Sequence, residues 1–351
     1  MFRKYILVLI ALFLAIGVGF GREVQKVGTT SLQSLKVSSS VRAAALGDAY
    51  CSVADDIQSI FWNPAGIIHI EGYSALLSHV NMPADVQLNN LALVKNLGDR
   101  GVLGFHVIAM NTDDMVVRTW QRPEGTGEYF IAYDVVAGIS WAKRLTQSFT
   151  FGFNFRIVNT GLEDAKFTGA LADIGTLYET QVRSLKLGFA VQNFGPDINY
   201  GGDYLDWLDK GLRGRSEPRT NDYHAAPPPT IYRIGLSMNV FEMTGIERPE
   251  GFDGLFAFEM SHPNDSRERL NFGLEIGYRE MLFLRGGHKL NYGSIFGYDE
   301  ERWTGGFGLK IPLMDNRRLN VDYAYLGFGR IAEAADGFMA SPHRFSLSFE
   351  F

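Results

Sequence analysis

The chain has 351 residues, of which 46% are hydrophobic and 13% are aromatic, and one large all-β domain can have this length. A net charge of -6 excludes the basic character of nucleic-acid-binding proteins, so no nucleic-acid partner is expected. The high apolar content excludes an intrinsically disordered chain. The 39 glycines and 26 phenylalanines are typical of twisted strands with aromatic interfaces.

The N-terminus has the pattern of a secretory signal peptide. Arg3 and Lys4 precede an uninterrupted apolar run, residues 5–20, and small residues follow at a possible cleavage site. A retained transmembrane helix is the alternative, but a spanning helix needs about 20 apolar residues and this run is shorter. We therefore expect export and removal of the signal peptide. The chain is predicted to divide into residues 1–21 (signal peptide), 22–70 (N-terminal segment) and 71–351 (main domain).

Short helices and turns, rather than strands, are predicted for the segment that follows the signal peptide. Residues 41–54 are rich in alanine, and a Trp-Asn-Pro-Ala-Gly turn ends the segment. Pro64 fixes its own φ and biases Asn63 away from the helical region. Cys51 is the only cysteine. No ordered His or Asn signature accompanies it, so we interpret it as a small apolar filler rather than a nucleophile.

From residue 71 to the end, apolar residues alternate with small, polar or charged ones. Phe149, Phe151, Phe153 and Phe155 alternate with Thr, Gly and Asn, for example. Such alternation also occurs in soluble β-sandwiches, where one face is buried and the other is wet. Here, however, the segments often exceed ten residues, against about 5–6 for a globular strand. The predicted strands are 71–82, 86–96, 101–112, 130–144, 147–161, 166–180, 184–194, 229–242, 253–262, 268–279, 281–290, 301–311, 318–329 and 342–351.

The number of strands and the lengths of the loops both indicate an outer-membrane barrel. About fourteen strands is an even count, and short and long connections alternate, as periplasmic turns and extracellular loops do in such barrels. The longest connections, 113–129 and 195–228, fall on the extracellular parity, and 243–252 is the exception. The chain ends in an aromatic residue, Phe351, interpreted as a C-terminal assembly signal. The predicted fold is therefore all-β, a transmembrane antiparallel β-barrel in the bacterial outer membrane.

Residues 28–67 carry a pattern that resembles a known family. The pattern has an Arg-Ala-Ala triplet followed by Gly, then an Asp pair, then Trp-Asn-Pro-Ala-Gly. These positions are Arg42, Ala43, Ala44, Gly47, Asp55, Asp56, Trp62, Asn63, Pro64, Ala65 and Gly66. The segment resembles the N-terminal hatch of FadL-like outer-membrane barrels, in particular of the PorV/PorQ branch. Residues 123–130 and 173–178 also resemble that branch.

A barrel of fourteen strands is too wide for side chains alone to fill, so its lumen must be open or plugged. We expect residues 22–70, called the hatch, to plug it. Arg42 and the Asp55/Asp56 pair are expected to bond inward-facing charges such as Arg156, Glu275 or Arg279.

The resemblance implies two alternative functions. Members of the PorV type are non-enzymatic scaffolds of the type IX secretion system, which bind the C-terminal domains of secreted cargo and present it at the surface. The expected partners are then cargo, other secretion components, outer-membrane lipid and the barrel-assembly machinery. The wider FadL-like fold instead transports hydrophobic small molecules, and Gly286-Gly287 would mark a kink in the wall. The scaffold is favoured because the hatch details match the PorV/PorQ branch, and inward positions of Gly, Ser, Asn, Lys, Arg and Glu argue against a continuous apolar conduit.

Chemistry-bearing motifs do not occur in the sequence. There is no P-loop, dinucleotide fingerprint or serine-nucleophile elbow, and the seven histidines lack metal-ligand spacing. We therefore expect no enzyme activity, no catalytic residues, no cofactor and no resident metal. The Asp residues at 197, 203, 206 and 209 lie in the longest loop, where a solvated face is favoured over a calcium site.

Overall fold

A computed structural model describes residues 28–82, 85–162, 165–201, 203–206, 219–222, 224–291, 303–314, 317–327 and 342–351. Fourteen antiparallel strands close into one barrel, which confirms the predicted fold class. The strands are β1 (Tyr73–Met82), β2 (Val86–Asn96), β3 (Val102–Asn111), β4 (Ala132–Arg144), β5 (Phe149–Leu162), β6 (Ala165–Glu179), β7 (Lys186–Phe194), β8 (Ile231–Asn239), β9 (Phe252–Pro263), β10 (Arg269–Tyr278), β11 (Leu282–Asn291), β12 (Trp303–Pro312), β13 (Arg318–Leu326) and β14 (His343–Glu350).

The first and last strands pair with each other and close the wall. β1 runs antiparallel to β14, from Ser74 opposite Glu350 to Asn81 opposite His343. Closure leaves no free sheet edge, so every strand can satisfy its backbone hydrogen bonds inside a bilayer.

The alternation of the sequence places apolar side chains on the outside of the barrel. Leu284 is 69% exposed, and Ile157, Leu274 and Phe345 also point outward. Their neighbours in sequence point into the lumen, because successive side chains of a strand lie on opposite faces. This outer band is the surface that lipid requires, and the closed barrel is that of a bacterial outer-membrane protein.

The connections keep the predicted parity. On the periplasmic side a 3₁₀ turn, Gly98–Arg100, joins β2 to β3. The connection between β8 and β9 is the long periplasmic loop that breaks the alternation, and it contains a short helix, α2 (Val240–Thr244). On the extracellular side two of the loops contain a small two-stranded hairpin. One pairs Met115–Val116 with Tyr129–Phe130, and the other pairs Asp203–Asp206 with Arg219–Asp222. Within the described residues no helix is long and apolar enough to cross a membrane.

Residues 28–70 lie inside the barrel as short helices and turns. Helix α1 spans Val41–Ala45, and 3₁₀ turns span Gln33–Lys36, Ile57–Phe61 and Pro64–His69. The helical turns begin at capping side chains: Ser40 accepts from the backbone N–H of Ala43, Asp56 from Gln58 and Asn63 from Ala65. The predicted signal peptide, residues 1–21, lies outside the described residues, and the predicted division at residue 22 stays a prediction.

The hatch crosses the lumen from one end to the other. At the extracellular end the N–H of Ser31 donates to the carbonyl of Pro227, in the loop between β7 and β8. At the periplasmic end the amide of Asn96 donates to the carbonyl of Ile70 at 2.7 Å. The hatch therefore fills the lumen along its length.

Inward glycines let the wall approach the hatch backbone. A Cβ at Gly287 would overlap the backbone of Leu46 and Gly47, and one at Gly188 would overlap Cys51. Gly286 faces outward with nothing within 4 Å of an added Cβ, and β11 pairs continuously through both glycines. The predicted wall kink at Gly286-Gly287 is therefore wrong, because Gly287 is the place where the hatch touches the wall. The wall glycines at which an added Cβ would come within 3.0 Å of a hatch atom, backbone or side chain, are Gly104, Gly152, Gly175, Gly188, Gly235, Gly273, Gly287 and Gly306.

Candidate functional site

Arg42 holds the hatch to one side of the barrel. Its Nη1 lies 2.5 Å from Asp55 and 2.9 Å from Asp56, while Nε and Nη2 form a bidentate pair with Glu275 on β10 at 3.0 and 2.8 Å. Glu275 also accepts from Nε of Arg285 at 2.6 Å. A bidentate guanidinium–carboxylate pair fixes orientation as well as distance. The hatch is thereby locked to β10 and β11.

Of the predicted charged partners of the hatch, one is correct. Glu275 bonds Arg42, as expected. Arg156 instead pairs with Asp173 at 2.5 Å, between two neighbouring strands of the wall. Arg279 follows the end of β10 and lies over the ring of Tyr278, 5.2 Å from its centroid. Both predictions are wrong for the same reason: alternation gives the face of a residue but not its height along the barrel.

A second charged cluster centres on Glu259 of β9, which is fully buried. One of its oxygens accepts from the backbone N–H groups of Tyr50 and Cys51 and from Nε1 of Trp62, at 2.8 to 3.1 Å. The other oxygen accepts from Arg233 at 2.8 Å. The Arg233 guanidinium also lies 3.8 Å from the centre of the Trp62 ring, close enough for a cation–π contact.

Further polar contacts extend the same attachment. Lys289 forms an ion pair with Asp48 at 2.5 Å, and the amide of Gln58 donates to Asp322 at 2.9 Å. The hydroxyl of Thr304 donates to the carbonyl of Ala45. These wall residues all lie on β11 to β13. We call the wall from β8 to β14 the polar side of the lumen.

The opposite side of the lumen meets the hatch through apolar contacts. Hatch residues Ile57, Ile60, Ile67 and Ile70 pack in one cluster with inward side chains of the wall. We call this contact the apolar seam. Its wall residues are Leu76, Ala92, Val94, Val102 and Ala142, on β1 to β4. The expectation that inward positions are small, polar or charged is therefore wrong on these strands, because the hatch supplies the apolar surface that they face.

A small pocket lies where the seam approaches the extracellular end. Its wall includes Leu88, Ile108, Met110 and Val136, its hatch side includes Leu35, and Phe61 also lines it. Its volume is about 30 Å³, enough for about two water molecules. We call it the outer pocket. Arg156 and Arg233 form part of its polar edge.

The periplasmic end carries a larger cavity of about 590 Å³. Lys186, Lys310 and Arg318 line it, together with the partly exposed Asp55 of the hatch. Asp253 and Glu280 line the same cavity, so its charges are of mixed sign, and Asp55 is the point where the Arg42 cluster reaches solvent.

The remaining residues of the predicted motif are structural contacts of the hatch. Ala43 and Ala44 are fully buried, and Gly47 has a φ of 64° where it meets Gly287. The amide of Asn63 donates to the carbonyls of Cys51 and Thr176, and Ala65 and Gly66 continue the turn that begins at Pro64. Phe351 lies at the periplasmic end, where its N–H donates to Tyr73 and its ring stacks on Phe349. Its assembly role stays a prediction.

Sequence reasoning missed Glu259, Arg233 and Arg285. Each is a charged residue at an inward position of its strand, which is ordinary for a polar lumen, so spacing alone did not distinguish them. Within the described ranges no group of three or more His, Cys, Asp or Glu side chains is arranged to hold a metal ion.

Known protein families and curated proteins offer no match to this sequence. Solved structures do match its fold. The toluene transporter TodX of Pseudomonas putida superposes with a TM-score of 0.53 at 13% identity, over 88% of this chain and 96% of that one. A FadL homologue of Pseudomonas aeruginosa superposes with a TM-score of 0.51 at 12% identity, over 88% and 97%. The chain thus has the FadL-like barrel fold.

Proposed function

We propose that this chain is a hatch-gated channel that passes small hydrophobic molecules across the outer membrane. The apolar seam carries the proposal. Phe61 lines the outer pocket and also packs against the seam cluster, so its ring joins the pocket to the apolar surface that reaches Ile70 near the periplasmic end, past inward polar wall residues such as Asn90 and His106. A hydrophobic solute follows such a surface because it leaves water without losing hydrogen bonds.

Similarity of fold supports this reading over a protein-secretion role. The two superposed proteins are described as a toluene transporter and a FadL homologue. Their identity to this chain is low, so the choice of solute rests on the seam rather than on them. The apolar inward residues of β1 to β4 also weaken the argument, taken from the sequence, against an apolar path through the lumen.

The described structure is a closed state of such a channel. The outer pocket holds about 30 Å³, whereas a cavity that takes up benzene measures about 150 Å³. The hatch must therefore shift to admit a solute. Contacts on the apolar seam are non-directional, and those on the polar side are charged hydrogen bonds. We infer that the seam opens while the polar side holds.

Uptake of toluene into vesicles containing the purified full-length barrel tests the proposal. Ile108→Asn places a polar group in the outer pocket and should reduce uptake several-fold. Ser348→Asn places the same group in the lumen on β14, away from the pocket, and should leave uptake unchanged. If uptake does not exceed that of empty vesicles, or both variants behave alike, hydrophobic transport through the seam is excluded.

A second candidate function is the surface scaffold for secreted cargo. The charged locks at Arg42 and Glu259 favour it, since a plug held on so many strands is compatible with a lumen that conducts nothing. A tag in an extracellular loop would then recover secreted proteins that share a C-terminal domain, or secretion components. Recovery of the barrel with neither would contradict the scaffold.

A further inference from the structure

His106 is a buried polar side chain that the described contacts leave without a partner. It points inward from β3 and is 0% exposed. Neither Nδ1 nor Nε2 has a hydrogen-bond partner among the described residues. A buried polar group without a partner costs free energy, and a hydrogen bond to a bound molecule would remove that cost.

The position of His106 connects it to the outer pocket. Ile108 and Met110, the next two inward residues of β3, line that pocket. The ring of Phe61, which also lines the pocket, meets the imidazole edge-on with the two centroids 5.5 Å apart. The Phe61 ring therefore lies against this imidazole on the side of the hatch and also borders the pocket.

The wall beside His106 leaves room for its ring. Gly138 lies directly opposite on β4, and a Cβ there would come within 2.7 Å of Nε2. Arg156 lies alongside, and its Nε also has no partner among the described residues. If the hatch moves and Phe61 swings aside, the imidazole and its two unpaired nitrogens face the apolar part of the pocket, formed by Leu88, Ile108 and Val136, while Arg156 and Arg233 stay at its polar edge.

We propose that His106 is the specificity-determining contact of the channel, for hydrophobic molecules that carry one hydroxyl or carbonyl group. This inference rests on the proposed function and names its solute class. The solute's apolar body lies against Leu88, Ile108 and Val136, and its single polar group hydrogen-bonds the imidazole, which acts as donor or acceptor according to its tautomer. A hydrocarbon of the same shape fills the same space but leaves the imidazole unpaired.

Toluene and 4-methylphenol form a matched pair of probes, because they differ by one hydroxyl. Their binding is measured with the full-length barrel in micelles, as the ratio of the two dissociation constants. We expect the preference for 4-methylphenol over toluene to be about fivefold to tenfold greater in the wild type than in His106→Leu. This factor corresponds to the free energy of one hydrogen bond. His106→Gln keeps a donor and an acceptor and should keep most of the preference.

Two results would overturn the proposal, and only the second would also overturn the proposed channel function. An unchanged ratio in His106→Leu, with toluene still bound, excludes His106 as the contact and leaves the channel intact. No binding of either probe, by the wild type or by Phe61→Ala, excludes the channel and the contact together. Circular dichroism and the shift between folded and heated forms on gels verify that each variant is folded.

Discussion

Glu259 joins three separated parts of the chain through one carboxylate. It accepts from two hatch N–H groups, from the indole of Trp62 and from Arg233 on the neighbouring strand. A buried ion that receives this many hydrogen bonds is well compensated, but each partner left behind by a substitution is not. Substitution of Glu259 and substitution of Arg233 should therefore destabilise the barrel by different amounts.

Glu259→Leu should destabilise the barrel more than Arg233→Leu. The first change leaves three N–H donors unpaired and a buried guanidinium without its counter-charge, although Arg233 still donates to Gln192, and we expect a loss of about 3–5 kcal/mol. The second leaves a carboxylate that still accepts three hydrogen bonds. Urea midpoints of the vesicle-inserted proteins measure the difference. Equal losses would mean that the hatch donors contribute nothing through Glu259.

Two adjacent glycines of β11 provide a test of the close approach between hatch and wall. Gly287→Val would push side-chain atoms into the backbone of Leu46 and Gly47, and such overpacking costs about 1–3 kcal/mol. Gly286→Val is the matched control, since its side chain would enter the lipid. We expect a lower thermal midpoint for Gly287→Val only. A similar decrease for both would indicate a strand effect instead.

The residue scale is also where the sequence is least informative. Alternation correctly assigns Gly287 and Glu275 to the lumen. It does not show that the first contacts hatch backbone and the second contacts Arg42, because both contacts join positions more than two hundred residues apart. Leu88 and Ile108 were missed for a related reason: an apolar residue facing inward makes sense only once the hatch is in place.

At the scale of elements, the strands were predictable and the connections between hatch and loops were not. A two-residue period sustained over ten or more residues fixes both the existence of each strand and the face it turns to lipid. The hatch was predicted as short helices from its alanines and Pro64, as observed. The attachment of the hatch to the loop between β9 and β10 could not be predicted from the alternation of apolar and polar residues.

That attachment is made at Asp265, which is buried in the β9–β10 loop. It pairs with Lys36 at 2.5 Å, accepts from Gln33 at 2.9 Å and also accepts from Thr30. Burial raises the pKa of this carboxyl, but the hydrogen bonds from Gln33, Lys36 and Thr30 outweigh burial and lower it from 3.8. The first turn of the hatch is thus tied to the extracellular end by an ionised group.

Because the folded pKa is lowered, the stability that Asp265 contributes is present above pH 3.8 and is lost as pH falls further, through the folded value. We expect hydrogen exchange in residues 29–37 to be faster in Asp265→Asn than in the wild type at pH 6. The difference should disappear in acid below that range. Equal exchange at pH 6 would show that the loop does not hold the hatch.

At the scale of the whole molecule, the hatch determines whether the lumen of the barrel is blocked. Removal of residues 28–70 would leave a lumen with Arg285, Glu275 and Lys289 facing water on one side. We expect such a barrel to conduct ions in planar bilayers, where the intact chain does not, because side chains alone cannot fill fourteen strands. Circular dichroism controls for strand content. A folded but non-conducting deletion variant would contradict the prediction.

The path of the hatch constrains the order of assembly. Its first described residues contact extracellular loops, and its last ones join β1 at the periplasmic end. Glycines on eight strands touch it with no clearance for a methyl group. If the barrel closed first, the hatch would have to pass through the finished lumen, and its close contacts with the wall leave little room for that. We therefore expect the strands to assemble around a segment that is already present, with pairing of β1 and β14 as the step that encloses it.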